Sequence, residues 1–167
     1  MRPGSAGWWA GKIRQAKRHV LARVPARERD SLVTWLSPAQ LAVFDAMHVA
    51  DRRHGLDVAA ALRAGGTEDP EVLLAGLLHD AGKGDTGLIP RVVFSLGEAR
   101  MTWIERLIGP LPGMRRSLVR LREHAEVSAE MALAAGCSTR TVELIRWQSE
   151  PRDPEAGERL RLADEAS

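Results

Sequence analysis

The chain has 167 residues, 44% of them apolar and 28% charged, with a formal net charge of +2, which fits one soluble globular domain. A single cysteine, Cys137, excludes an internal disulfide and a Cys-rich zinc site. No apolar run is long enough to span a membrane and no signal peptide is visible, so the sequence predicts a cytoplasmic protein.

The N-terminal segment carries the positive charge. Residues 1–30 hold eight Lys/Arg against two Asp/Glu, whereas the other 137 residues hold sixteen against twenty. Residues 8–24 have a helical pattern that Pro25 ends, so we expect residues 1–36 to form a basic helical extension. Residues 1–30, with Trp8 and Trp9, could bind nucleic acid or an anionic surface, or they could be a solvated face with the tryptophans packed on the domain.

The rest of the chain predicts a helical bundle. Ala, Leu, Arg and Glu are abundant, whereas Phe and Tyr are scarce, so we expect an all-α fold of six to eight helices with short connections. The predicted helices begin at Ser37, Asp51, Asp69, Pro90, residue 113, Ser138 and Asp153, and stop signals stand at Gly65, Gly82, Gly109 and Gly136. His48 is expected on the packed face of Leu41 and Phe44.

His79 and Asp80 follow a helix that is apolar on all sides, Val72–Leu78, which should therefore lie in the core. A buried carboxylate is costly unless it is paired or bound to a metal. A metal ion is one solution, and a salt bridge to one of the many arginines is the other.

His54 and Asp164 are two further candidate residues. His54 shares a face with Val58, Ala61 and Leu62, so its ring should point inward as a ligand or as a satisfied core histidine. Asp164 lies one turn beyond Leu160 in the last helix. Asp164 is either a further ligand or a surface carboxylate near a frayed terminus.

The segments DRRHGLDVAAAL, LLAGLLHDAGKG and RLADEAS together resemble the three ligand segments of the HD superfamily of metal-dependent phosphohydrolases. The resemblance covers residues 51–167 and implies one HD domain over residues 37–167. It implies a divalent metal site made by His54, His79, Asp80 and Asp164. Two imidazoles and two carboxylates suit Mn²⁺, Fe²⁺, Co²⁺, Ni²⁺ or Zn²⁺, and Mg²⁺ less well.

The same resemblance implies a reaction. A metal-bound water, with its pKa lowered, would attack phosphorus next to Asp80 while the metal polarises the phosphoryl oxygen. Lys83 would contact the phosphate or the leaving oxygen and stabilise negative charge, or it is a solvated lysine in a glycine-rich turn. Arg53 could bind a phosphate or have only a surface role.

His124 and Gln148 narrow the subfamily. His124 faces inward in a segment that resembles the one supplying a further histidine in two-metal HD phosphodiesterases, but Trp147 and Gln148 stand where those proteins place a His-His pair. We therefore expect one metal, with His124 as a general acid or phosphate contact, or a structural histidine, and Gln148 as a substrate contact. The absence of tyrosine excludes the Gly-Tyr-Pro motif of cyclic-di-GMP phosphodiesterases, and the Glu-Asp pair of alarmone hydrolases is missing.

The sequence thus favours a phosphomonoesterase or phosphodiesterase that acts on a small phosphorylated substrate, of which a nucleotide is the leading choice. The alternative is a catalytically weak or inactive HD-type module that binds a nucleotide in signalling. The sequence predicts no oligomeric state.

Overall fold

The computed structural model describes residues 21–98, 111 and 113–167, and every regular element within those ranges is helical. This confirms the all-α prediction. The described elements are α1 Ala26–Leu32, α2 Pro38–Ala46, α3 Val49–Ala64, α4 Pro70–Leu78, a 3₁₀ turn at Ala81–Lys83, α5 Leu88–Glu98, α6 Met114–Ala134, α7 Thr139–Arg146 and α8 Ala156–Ala166. Over the same part of the chain, the membrane-length apolar helix that a span would need is absent.

Side-chain caps start several helices where the sequence places them. Ser37 accepts a hydrogen bond from the Gln40 N–H while the Gln40 side chain accepts from the Ser37 N–H, which completes a capping box. Asp69 caps α4 ahead of Pro70, and Ser138 caps α7. These local bonds satisfy backbone donors at the helix starts, so sequence alone suffices to predict them.

Only part of the N-terminal segment lies within the described residues. Trp8, Trp9 and most of the predicted helix over residues 8–24 lie outside them. Pro25 precedes α1, a helix that the sequence pattern did not indicate. Leu32 and Leu36 are buried in the main core, so the described part of segment 1–36 packs on the rest of the fold.

Helix α3 begins earlier than expected, because its N-cap lies three residues before Asp51. His48 does not extend the α2 face; it is the N-cap of α3, and its Nδ1 accepts a hydrogen bond from the Ala50 N–H. Asp51, expected as the cap, lies inside the helix and is buried. A neutral imidazole nitrogen can serve as the acceptor that a cap requires, which the pattern-based prediction did not consider.

The other boundaries differ by a few residues. Helix α4 ends at Leu78 and not near Gly82, because the chain turns at His79-Asp80 into the 3₁₀ turn. Helix α5 begins at Leu88, ahead of the expected Pro90, and the predicted stop at Gly109 lies outside the described residues. Helix α6 ends as predicted before Gly136, which has a positive φ of 76°.

Helix α4 is the centre of the bundle. All of its residues from Val72 to Leu78 are buried, and it packs against α3, α7 and α8. Its approach to α3 is close, because a Cβ on Gly55 would lie 2.4 Å from the Leu77 carbonyl oxygen. This packing carries the C-terminal end of α4 to the place where α3 and α8 present polar side chains.

Candidate metal centre

The ring of His79 is held by its own helix. It is 1% exposed, and its Nδ1 lies 2.9 Å from the carbonyl oxygen of Gly76. When the ring is neutral and Nδ1–H donates to that carbonyl, Nε2 is the lone-pair nitrogen. Nε2 faces Asp80 Oδ1 at 3.5 Å and Asp164 Oδ1 at 3.4 Å. A backbone acceptor on the far nitrogen is the usual way in which proteins orient a metal-binding histidine.

His54 and Asp164 reach the same place from α3 and α8. His54 Nε2 lies 2.7 Å from Asp164 Oδ1 and 4.0 Å from Asp80 Oδ2. The His54 and His79 rings stand edge to face, with their centroids 5.2 Å apart. Residues separated by up to 110 positions in the sequence therefore converge.

Three of these residues form a group that could hold a metal ion. One ligand atom each from His54, His79 and Asp164 lies within 4.8 Å of the other two. Ligands about 2.1 Å from a common ion stand about 3.0–3.4 Å apart for octahedral to tetrahedral angles. The His79–Asp164 distance of 3.4 Å already fits, and the 2.7 Å His54–Asp164 hydrogen bond needs to open by only a few tenths of an ångström.

Asp80 borders this group and also pairs with a cation of the protein. Its carboxylate is 2% exposed, and Oδ2 accepts from Lys83 Nζ at 2.5 Å. Burial alone would raise the pKa of Asp80, but the positive charges of His79 and Lys83 hold it well below its usual range. Asp80 is therefore an ionised, buried carboxylate, as a metal ligand must be.

His124 approaches Asp80 from α6. Its Nδ1 lies 2.6 Å from the Leu121 carbonyl oxygen, and its Nε2 lies 3.6 Å from Asp80 Oδ1. Burial lowers the pKa of His124, and the nearby Asp80 charge only partly offsets that effect. A neutral ring beside the cluster can act as a proton acceptor.

The 3₁₀ turn joins Asp80 and Lys83 to α6. The Gly82 N–H donates to the buried Ser128 Oγ at 2.8 Å. A Cβ on Gly82 would lie 2.3 Å from the His124 carbonyl oxygen, so only glycine allows the turn to come so near to α6. The sequence analysis did not single out Ser128, because its partner lies 46 positions away.

The two remaining predicted site residues have other partners in the structure. Arg53 directs its guanidinium to Glu28 at 2.5 Å and to Asp57 at 2.8 Å. Gln148 is buried, and its Nε2 donates to the His79 carbonyl oxygen at 3.2 Å. Gln148 thereby supports the turn that carries the His-Asp pair. Substrate contacts of Arg53 and Gln148 stay predictions.

The pKa values of His79 and Asp164 reflect the charges around them. Burial lowers the pKa of His79, but the carboxylates of Asp80 and Asp164 outweigh it and raise the pKa to about 9. Burial would raise the pKa of Asp164, yet hydrogen bonds to His54 and His79 hold it well below its usual range. Without a metal, a proton on His79 offsets the carboxylate charge. A divalent cation can replace that proton.

A second buried charged group lies one turn from His54 on α3, and the sequence analysis missed it. Asp51 receives both terminal nitrogens of Arg91, at 2.5 and 2.7 Å. Arg91 also donates to the backbone oxygens of Thr86 and Gly84. This ion pair fastens the loop after Lys83, and the start of α5, onto α3.

Comparison with known proteins does not identify the chain. No family model, curated protein or solved structure matches it.

Proposed function

We propose that this chain is an HD-type metal-dependent phosphohydrolase that uses one divalent ion and acts on a small phosphorylated substrate, with nucleotides as the leading class. The observation that carries the proposal is the convergence of His54, His79 and Asp164 within 4.8 Å, with the Asp80 carboxylate beside them. Three helices supply these groups in the order that the HD resemblance requires.

The donor set limits the choice of metal. Two imidazole nitrogens with carboxylate oxygens favour Mn²⁺, Fe²⁺, Co²⁺, Ni²⁺ or Zn²⁺ over Mg²⁺, which prefers an all-oxygen shell. An ion bound here would act as a Lewis acid towards a phosphate oxygen and would lower the pKa of a coordinated water.

The protein's own groups have separate parts in this proposal. Lys83 supplies a positive charge next to Asp80, where negative charge develops on the phosphate oxygens. His124, with its pKa lowered by burial, accepts or returns a proton at Nε2. Gln148 and Ser128 contact the backbone at His79 and Gly82, so they keep the turn in register with α6.

One observation favours the alternative, a nucleotide-binding module without turnover. Lys83 Nζ already neutralises Asp80 Oδ2 at 2.5 Å, which leaves His54, His79 and Asp164 as a three-ligand group. In that case the metal would only anchor a phosphate. Binding would persist while product would not form.

The experiment measures phosphate release from a nucleotide panel with added Mn²⁺, Co²⁺ or Ni²⁺, and it compares the wild type with Asp80→Ala. The matched control is Asp57→Asn, which removes a half-exposed carboxylate of α3 that pairs with Arg53 and lies outside the cluster. We expect metal-dependent release in the wild type and the control, and a loss of at least about 100-fold in Asp80→Ala.

Thermal shift with the same nucleotides separates the two readings. Metal-dependent stabilisation without product over a long incubation would favour the binding module. Neither stabilisation nor product with any of the three metals would contradict both.

A further inference from the structure

Arg120, on α6, is seated against the turn that carries Lys83. Its Nε donates to the Gly82 carbonyl oxygen at 3.1 Å. Its guanidinium lies over Gly84, where a Cβ would stand 2.5 Å from Cζ and from one terminal nitrogen. Gly84 has a φ of +58°, so glycine both permits the turn and leaves the space that the guanidinium fills. Backbone atoms thus fix the direction of this side chain.

The Arg120 guanidinium lies beside the candidate metal centre. Arg120 precedes His124 by four residues, so the two side chains are neighbours on one face of α6, about 6 Å apart at their Cβ atoms. His124 Nε2 in turn lies 3.6 Å from Asp80 Oδ1. Arg120 therefore flanks the cluster at the distance of about one helical turn.

Arg120 keeps donors available, in contrast to Arg91. The Arg91 guanidinium is used by both oxygens of Asp51 and by two backbone carbonyls. Arg120 is exposed, and its one hydrogen bond within the described part of the chain uses Nε. Neither of its terminal nitrogens donates to a carboxylate of the described residues. A fixed guanidinium with two open nitrogens is suited to bind a phosphate bidentately.

We propose that Arg120 binds a second phosphate group, so that the preferred substrate carries a phosphoanhydride, as nucleoside di- and triphosphates do, and not a single phosphate. This rests on the proposed function, in which the first phosphate lies at the metal and Lys83. The next phosphate along the chain of the substrate then meets Arg120. Specificity arises because a monophosphate leaves the Arg120 nitrogens without an acceptor.

The test is equilibrium binding of two probes to the Mn²⁺-loaded full chain at a fixed free Mn²⁺ concentration. The probes are inorganic phosphate and imidodiphosphate, whose bridging nitrogen resists hydrolysis. The variant is Arg120→Gln. The control is Arg115→Gln, which removes the same charge from an exposed position five residues earlier, on a different face of α6.

We expect the wild type to bind imidodiphosphate more tightly than phosphate. Arg120→Gln should lower the imidodiphosphate affinity about tenfold and leave the phosphate affinity within about twofold. Arg115→Gln should change neither by more than about twofold.

Four results would overturn the inference. Equal losses for both probes in Arg120→Gln, or no loss for either, would remove the second phosphate site while the proposed function stands. Equal losses in the Arg115 and Arg120 variants would assign the effect to net charge. If neither probe binds the metal-loaded wild type, the proposed function fails together with the inference.

Discussion

The Asp51–Arg91 pair and the His54 cluster lie one turn apart on α3, and their charged side chains are arranged differently. Arg91 donates hydrogen bonds to both carboxylate oxygens of Asp51 and also to two backbone carbonyl oxygens. At His54, imidazoles and carboxylates face one another at distances from 2.7 to 4.0 Å. The Asp51–Arg91 pair is complete within the protein, whereas in the His54 cluster only the His54–Asp164 contact of 2.7 Å is a short hydrogen bond and the other distances are 3.4 to 4.0 Å.

The difference indicates how to separate a structural ion pair from a site that needs a ligand. A structural pair brings charges of opposite sign into direct contact and satisfies their hydrogen bonds. A metal site keeps its donors at the spacing that a shared ion requires. If this distinction is right, substitutions in the two groups will affect different measured quantities.

The largest effect is expected at the structural pair. Arg91→Met leaves the buried Asp51 carboxylate without its partner, which should lower the free energy of unfolding by about 3–5 kcal/mol. Urea unfolding in the presence of a metal chelator measures this free energy. The double variant Asp51→Leu/Arg91→Met should recover most of that loss, because no charge remains buried. If the double variant were no more stable than Arg91→Met, the pair would not be the closed structural unit described above.

The next effect falls on metal affinity. His54→Gln removes a proposed ligand and should weaken Mn²⁺ binding by more than about 100-fold, beyond what loss of a supporting contact typically costs. Titration calorimetry measures the affinity, and Asp57→Asn on the same helix is the matched control. An unchanged Mn²⁺ affinity in His54→Gln would mean that the ion binds elsewhere. The His54 cluster would then not differ from the Asp51–Arg91 pair as a metal site.

The pH dependence of metal binding sharpens the contrast further. The carboxylates raise the pKa of His79 to about 9, so its ring is protonated at neutral pH in the metal-free protein. Metal binding needs the neutral ring, so the proton competes and Mn²⁺ affinity should rise about tenfold per pH unit between about 6.5 and 9. Calorimetry at pH 7.5, in buffers of different ionisation enthalpy, should detect at least one released proton. An affinity that stays flat over this range would contradict the assignment of His79.

The smallest effect is expected at Gln148, which contacts the backbone of His79 and not the cluster itself. Gln148→Leu removes the donor to the His79 carbonyl and should cost about 1 kcal/mol of unfolding free energy. We expect Mn²⁺ affinity to fall by less than about tenfold. The exposed Glu150 provides the control, Glu150→Gln. A loss as large as that of His54→Gln would mean that Gln148 touches the ion or its ligands directly.

The sequence predicted what short-range rules control. Caps at Ser37, Asp69 and Ser138 depend on neighbours within three residues. The inward face of His54 and the buried helix before His79 follow from the spacing of apolar residues. These two signals, with the HD resemblance, were enough to name the residues that converge.

The parts that the sequence did not predict depend on distant partners. The local pattern indicated Asp51 as a helix cap. Its partner in the structure is Arg91, which lies 40 positions later, beyond the turn at Gly84. The contact of Gly82 with Ser128 and the seat of Arg120 arise only when the 3₁₀ turn packs on α6. Long-range packing of this kind leaves no local pattern in one sequence.

The most direct test of the central claim is the metal content of the purified chain, together with anomalous diffraction from crystals grown with Mn²⁺. We predict one ion per chain, bound to His54 Nε2, His79 Nε2 and oxygens of Asp80 and Asp164, and absent from His54→Gln. A crystal without anomalous signal among these residues, or with an ion that survives the substitution, would contradict it.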